Sequence, residues 1–130
     1  MERLIYFAAG NPEKKDRLSA LAAGLNLQLM EVSPLLTGQT IGFLSGIDGF
    51  EERPLKPLET PPVLREEALI FSGLTRERLD EVLRALREGG IYISLKAIVT
   101  PHNVNWTLAQ LCRELEEERS QMQRMQEERK

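Results

Sequence analysis

Leu69-Ile70-Phe71-Ser72-Gly73-Leu74-Thr75 is the stretch that decides the fold. Its apolar start reads as a buried strand, and Thr75 has the side chain to cap a following helix. Leu74 before the cap and Leu79 after it form a hydrophobic staple that fixes the entry of the chain into that helix. Leu79, Val82, Leu83 and Leu86 then recur at helical spacing, and Gly89-Gly90 stops the run. Next, Ile91, Ile93, Leu95, Ala97 and Val99 alternate with Tyr92, Ser94, Lys96, Ile98 and Thr100. The alternation predicts a strand with the first set on one face, ended by Pro101. Strand, helix and strand in this order make a βαβ unit, whose two strands run parallel.

Upstream the same order recurs. Leu4-Ile5-Tyr6-Phe7-Ala8 reads as a buried strand, and Asn11-Pro12 as a helix start. Leu18, Leu21, Ala22 and Leu25 form a helical stripe, and a weaker strand runs from Leu27 to Val32 before Ser33-Pro34. Aligning Leu4-Ile5-Tyr6 on Leu69-Ile70-Phe71 places Leu18 over Leu83, Leu21 over Leu86 and Gly24 over Gly89. The hydroxyl-Pro endings, Ser33-Pro34 and Thr100-Pro101, then match after a two-residue insertion. The expected fold class is therefore α/β, with two βαβ-like units forming a four-stranded sheet. That sheet is either wholly parallel or mixed, with a split, ferredoxin-like arrangement as an alternative, and helices cover it. The expected organisation is one domain over residues 1–118, a pseudo-repeat of 1–50 and 64–118 joined by a Pro-rich connector at 51–63.

Between the units, residues 34–50 carry seven large apolar residues and glycines 38, 42, 46 and 49. A short helix near Gln39–Leu44 and a turn after it are expected. The glycines lack the endings and spacings of phosphate-binding loops, so turns and close packing explain them better. After Pro101 a last helix is expected to start near Asn103 or Asn105, with Leu108, Leu111, Cys112 and Leu115 as its stripe. Beyond residue 118 it becomes a polar helical tail, 119–130, in which Met122 and Met125 are the remaining apolar points.

Composition narrows the function. There are 17 basic and 20 acidic residues, net charge −3, so the basic bias of a general nucleic-acid binder is missing. One Cys and one His leave no disulfide framework and no Cys/His zinc site within the chain, and no cofactor motif is present. No apolar stretch approaches the roughly 20 residues that span a bilayer, and the N-terminus lacks a signal-peptide pattern. The expectation is a cytoplasmic protein with no nucleic-acid or membrane partner.

Candidate chemistry gathers where the fourth strand runs into the last helix. Ligands in open α/β sheets collect at the carboxyl ends of strands, and a helix N-terminus favours anions. Lys96, Thr100, His102, Asn103, Asn105 and Trp106 are the candidate ligand-binding residues. Each also has an ordinary role. Lys96 can snorkel on an open face, the asparagines can cap a helix, and Trp106 can anchor the helix on the sheet. No catalytic residues and no metal ligands are assigned, and Cys112 on an apolar stripe reads as a buried thiol rather than a nucleophile.

These residues also carry a resemblance. Leu69-Ile70-Phe71-Ser72-Gly73-Leu74 with Leu79, then Leu95-Lys96-Ala97, Thr100-Pro101, Asn103 and Asn105-Trp106-Thr107-Leu108, resembles an uncharacterised bacterial family. It is catalogued as domain of unknown function three-seven-eight-three. The likeness is specific over roughly residues 66 to 117. It implies a small bacterial α/β domain and draws attention to Lys96, Thr100, Asn103, Asn105 and Trp106, with no catalytic role attached.

The functional expectation is a non-enzymatic module that binds a small ligand or a protein partner. One alternative is an enzyme acting on a small anionic substrate through Lys96, with Thr100 or His102. Lys96 would then need burial or nearby charge to lower its pKa. The other is a structural or regulatory protein that uses its C-terminal helix to meet a partner or a second copy of itself.

Overall fold

The structure, a computed structural model, describes residues 2–54 and 64–128. Its elements are β1 (Arg3–Phe7), α1 (Lys15–Gly24), β2 (Gln28–Val32), α2 (Ile41–Leu44), β3 (Ala68–Ser72), α3 (Arg76–Glu88), β4 (Leu95–Ile98) and α4 (Leu108–Glu128). A 3-10 turn, Pro12–Lys14, leads into α1, and Asn11 caps it through Oδ1, which accepts from the Glu13 N–H at 3.1 Å. Thr75 caps α3 in the same way, its Oγ1 accepting from the Arg78 N–H at 3.2 Å. Both caps fall where the sequence places them.

The four strands lie in the order β2-β1-β3-β4. β1 and β2 are parallel, β3 and β4 are parallel, and β1 meets β3 antiparallel. The sheet is thus mixed. It is neither wholly parallel nor ferredoxin-like, because the strands of each unit lie side by side instead of interleaving. At the central seam Ile5 stands opposite Ile70, with Leu4 opposite Phe71 and Tyr6 opposite Leu69.

The helices of the two units end alike. The Leu25 N–H donates to Leu21 O and the Leu27 N–H to Ala22 O; the Gly89 N–H donates to Ala85 O and the Ile91 N–H to Leu86 O. Asn26 (φ 62°) and Gly90 (φ 66°) take the left-handed conformation that such helix ends need. This aligns Leu25 with Gly89, so the helix correspondence expected from Gly24 is shifted by one residue. Each helix also lends an arginine to the other: Arg17 donates to Gly89 O and Arg78 to Leu25 O. A cation there satisfies a terminal carbonyl and the negative end of the helix dipole.

Both sheet faces are covered. Leu4, Tyr6, Leu69 and Phe71 pack on Leu18 and Ala22 of α1 and on Val82 and Leu86 of α3. Ile5, Phe7, Val32, Ala68, Ile70 and Leu95 pack on Ile41 and Leu44 of α2 and on Leu108, Leu111 and Cys112 of α4. The expected continuous fourth strand divides here. Ile91 and Ile93 belong to the α1/α3 side, whereas Leu95, with Ala97 and Val99, belongs to the α2/α4 side. The reason is the end of α3. Ile91 closes the helix cap against the core, and Tyr92-Ile93-Ser94 form an irregular stretch before pairing starts at Leu95.

The segment between the units is built into the second layer. The Ile41 and Gly42 N–H groups donate to Trp106 O (2.8 Å) and Val104 O (2.9 Å). The Leu108 and Ala109 N–H groups donate back to Gln39 O (3.1 Å) and Thr37 O (3.0 Å). Gln39, fully buried, holds Arg53 from both sides: Nε2 donates to Arg53 O at 2.8 Å, and Oε1 accepts from the Arg53 N–H at 2.7 Å. A Cβ on Gly42 would lie 2.5 Å from the Phe50 ring, so that glycine serves close packing. Residues 51–54 of the expected connector are exposed; its remainder, 55–63, lies outside the described residues, as do 129–130 of the tail. Among the described residues no helix is long and apolar enough to cross a membrane.

Candidate functional site

The cluster at residues 96–106 is not one site. Lys96 is exposed on β4 beside α3, in a groove with Leu83, Leu86, Arg87, Ile91 and Tyr92. Thr100 lines a different cavity, at the carboxyl ends of β3 and β4. The structure therefore does not bring Lys96 and Thr100 to one ligand.

Asn103 is committed to the fold. It is buried; its Oδ1 accepts from the Thr100 N–H at 3.0 Å and its Nδ2 donates to Ile98 O at 3.0 Å. Thr100 Oγ1 in turn accepts from the Asn103 N–H at 3.3 Å. The pair turns the chain out of β4. His102 is exposed and meets Trp106 edge-on, with ring centroids 5.1 Å apart. Trp106 packs against the α2/α4 core, as expected of an anchor, and Asn105 is exposed.

The helix start that should attract an anion is closed. Thr107, rather than Asn103 or Asn105, caps α4, its Oγ1 accepting from the Gln110 N–H at 3.1 Å. The Leu108 and Ala109 N–H groups go to carbonyls of the 37–39 turn, and the Leu111 N–H goes to Thr107 O. The donors that make a helix N-terminus an anion site are thus spent on the protein.

The cavity that does sit at the strand ends has a volume of about 540 Å³. β3 and β4 open onto it through Ser72, Gly73, Val99 and Thr100, and the turn after α2 closes the other side with Ser45, Ile47 and Phe50. Its walls are aliphatic and aromatic with hydroxyl groups between. Ser45 and Ser72 are each 4% exposed. Among the described residues Ser45 Oγ is the buried side-chain polar atom without a hydrogen-bond partner. Arg3, opposite Ser72 in the sheet, reaches under the Gly46 turn and donates from Nη1 to Leu44 O at 2.7 Å. Gly46 (φ 74°) permits this approach, since a Cβ there would lie 3.1 Å from the guanidinium. Sequence reading missed Ser45, Ser72 and Arg3. Arg3, a charge opening an otherwise apolar strand, was the available signal; the serines gave none.

A second polar group lies at the opposite end of the sheet. The Tyr6 hydroxyl donates to Glu67 Oε2 at 3.0 Å, and Lys14 Nζ donates to Glu67 Oε1 at 2.5 Å and to Tyr92 O. Burial, with the Glu67 carboxylate beside it, holds the Tyr6 phenol well above its ordinary range. The group is internally satisfied, and it fastens β1, β3 and the approach to α1 together. Cys112 is fully buried; desolvation, with Glu116 and Glu66 adding to it, pushes its thiol up to about 12. A thiol held in that form is not a nucleophile at neutral pH.

Fold and cavity together define a small mixed α/β module with a covered sheet and an open cleft at the ends of its second strand pair. Residues 67–122 match the family model described as Domain of unknown function (DUF3783). The resemblance expected over roughly residues 66 to 117 is borne out. The match takes in β3, α3, β4 and much of α4, and so includes the Ser72–Thr100 side of the cleft. No curated protein and no solved structure gives a significant match.

Proposed function

We propose that the protein is a non-enzymatic binding module whose ligand site is the cleft at the ends of β3 and β4. The lining fits a small, mostly apolar molecule that carries one hydrogen-bonding group. Ile47, Phe50, Val99 and Val104 supply apolar surface, and Ser45, Ser72 and Thr100 supply hydroxyls. The observation that carries this reading is the Ser45 hydroxyl, buried in the cleft wall and without a hydrogen-bond partner among the described residues. An unsatisfied buried hydroxyl costs about 1–3 kcal/mol, and a ligand that gives it a partner recovers part of that cost. The location is the one that open α/β sheets favour for ligands.

The experiment is a fragment titration of aliphatic and aromatic alcohols, amides and carboxylic acids, followed by amide chemical shifts. Shifts should cluster at Gly46, Ile47, Gly73 and Thr100. Ser45→Ala should weaken the best fragment about fivefold or more, while the ligand-free melting temperature holds or rises. Fragments that leave those amides unmoved, or a Ser45→Ala protein that melts lower and binds as before, would defeat the reading.

The same reading makes the protein cytoplasmic, supported by its single buried thiol, and bacterial, supported by the family resemblance. It also treats the two βαβ units as a repeat, supported by the matching helix ends and the Ile5–Ile70 seam. A second reading, docking through the end of α4, is favoured by Met122 and Met125, which are 62% and 54% exposed.

A further inference from the structure

The groove that holds Lys96 differs in kind from the cleft. It runs between α3 and β4, the outermost strand on its side of the sheet. Its volume is about 510 Å³. Leu83, Leu86 and Ile91 form its apolar base, with Tyr92, Arg87 and Lys96 around them. Tyr92 is 84% exposed, and Ile98, further along the same strand edge, is 49% exposed.

The backbone of β4 is open on this side. The Leu95 N–H donates to Glu67 O (3.2 Å) and the Val99 N–H to Phe71 O (2.9 Å), so alternate residues turn their amides toward β3. The intervening residues, Lys96 and Ile98, turn theirs outward. Ile98 O is taken by Asn103, while among the described residues the Lys96 and Ile98 N–H groups and Lys96 O have no hydrogen-bond partner. An outer strand with free donors, next to an apolar groove walled by a helix, is the arrangement that takes up an extended segment as an added strand.

Charge selects the occupant. The charged side chains lining the groove, Arg87 and Lys96, are both cationic, although the chain as a whole carries −3. Neither makes an ion pair among the described residues. A second copy adding its own β4 would bring two Lys96 side chains toward one another, which is unfavourable. We propose that the α3–β4 groove binds an extended acidic segment of another protein, added alongside β4. Its backbone would pair with Lys96 and Ile98, its carboxylates with Arg87 and Lys96, and an apolar side chain would fill the base. The site is distinct from the cleft, so either proposal can fail alone.

The test is selection from a displayed library of random heptapeptides on the full chain. Enriched sequences should combine Asp or Glu with an aliphatic or aromatic residue. The synthetic winner should shift amides at 95–98 and at Leu83–Arg87, and raising salt from 50 to 500 mM should weaken it several-fold. Lys96→Glu with Arg87→Glu should lower affinity at least tenfold; both residues lie on the surface, so the fold survives. Ile98→Pro, which removes an outward N–H without touching the β3 ladder, should abolish binding. Four results would overturn the proposal: no enrichment, enrichment without acidic residues, shifts elsewhere on the surface, or a doubled mass that the charge reversals abolish. The last would make a second copy the occupant.

Discussion

Asn103 shows how a polar residue in a suggestive place can be consumed by the fold. Both ends of its amide are bonded to backbone within five residues of it. Asn103→Ala leaves the Thr100 N–H and Ile98 O without those partners, both part-buried bonds in a turn that is otherwise largely exposed. The expected loss is about 1–3 kcal/mol, read as a lower urea midpoint, with Lys96→Ala unchanged as the control. An equal midpoint for both variants would return Asn103 to the ligand-binding candidates. Ser45 is the converse case. Among the described residues its hydroxyl has no hydrogen-bond partner, and a bare Gly42-Phe43-Leu44-Ser45 sequence cannot show that. Burial without a partner is a property of the assembled turn, whereas a cap such as Thr75 is visible locally because its partner is three residues away. That difference in range explains why Thr75 and Asn11 were legible and the cleft serines were not.

At the scale of elements, hydrophobic period and cap chemistry placed both βαβ units, and the short helix expected near Gln39–Leu44 forms over Ile41–Leu44. The strand order was out of reach, since the antiparallel Ile5–Ile70 seam joins residues with no local signal between them. The misplaced start of β4 has a different cause. Ile91 and Ile93 obey strand alternation, yet Ile91 is held by the cap of α3, and the irregular stretch after it moves the two isoleucines and Leu95 to opposite sides of the sheet. The N-terminus of α4 was misread for a related reason: its donors are satisfied by a turn some seventy residues upstream. The far end of α4 is simpler. Arg119 pairs with Glu66 at 2.5 Å, and residues 121–126 are exposed. Truncation after Ser120 should therefore leave the melting temperature within about 2 °C, because surface changes cost little. If it halves the mass seen by light scattering, α4 is a dimerisation helix; unchanged mass removes that reading.

For the whole molecule, the buried titratable groups set how stability follows pH. Burial, and then Glu67 and Glu31, raise the Tyr6 hydroxyl above its ordinary value of 10.0, and burial with Glu116 and Glu66 takes the Cys112 thiol from 9.0 to about 12. Raised values mean that the folded chain keeps protons which the unfolded chain releases. Their contribution is complete below about pH 9 and is lost as pH climbs from the unfolded toward the folded values. Lys15, raised by its bond to Glu31, acts in the same direction at the surface. On the acid side Arg78 holds the half-buried Glu2 carboxyl below its ordinary 4.5, so this smaller contribution is present above that value and fades as pH falls through the lowered one. Urea midpoints should thus form a plateau from about pH 5 to 9 and fall steadily above it. Cys112→Ala should flatten the onset near pH 9, and Tyr6→Phe the descent above 10, although each variant is less stable on the plateau. Tyr6→Phe still leaves the Lys14–Glu67 pair, which keeps β3 tied to the start of α1. A wild-type midpoint that stays level to pH 11 would mean that neither group is sealed from water. The covered two-sided sheet, on which both binding proposals stand, would then be more open than described.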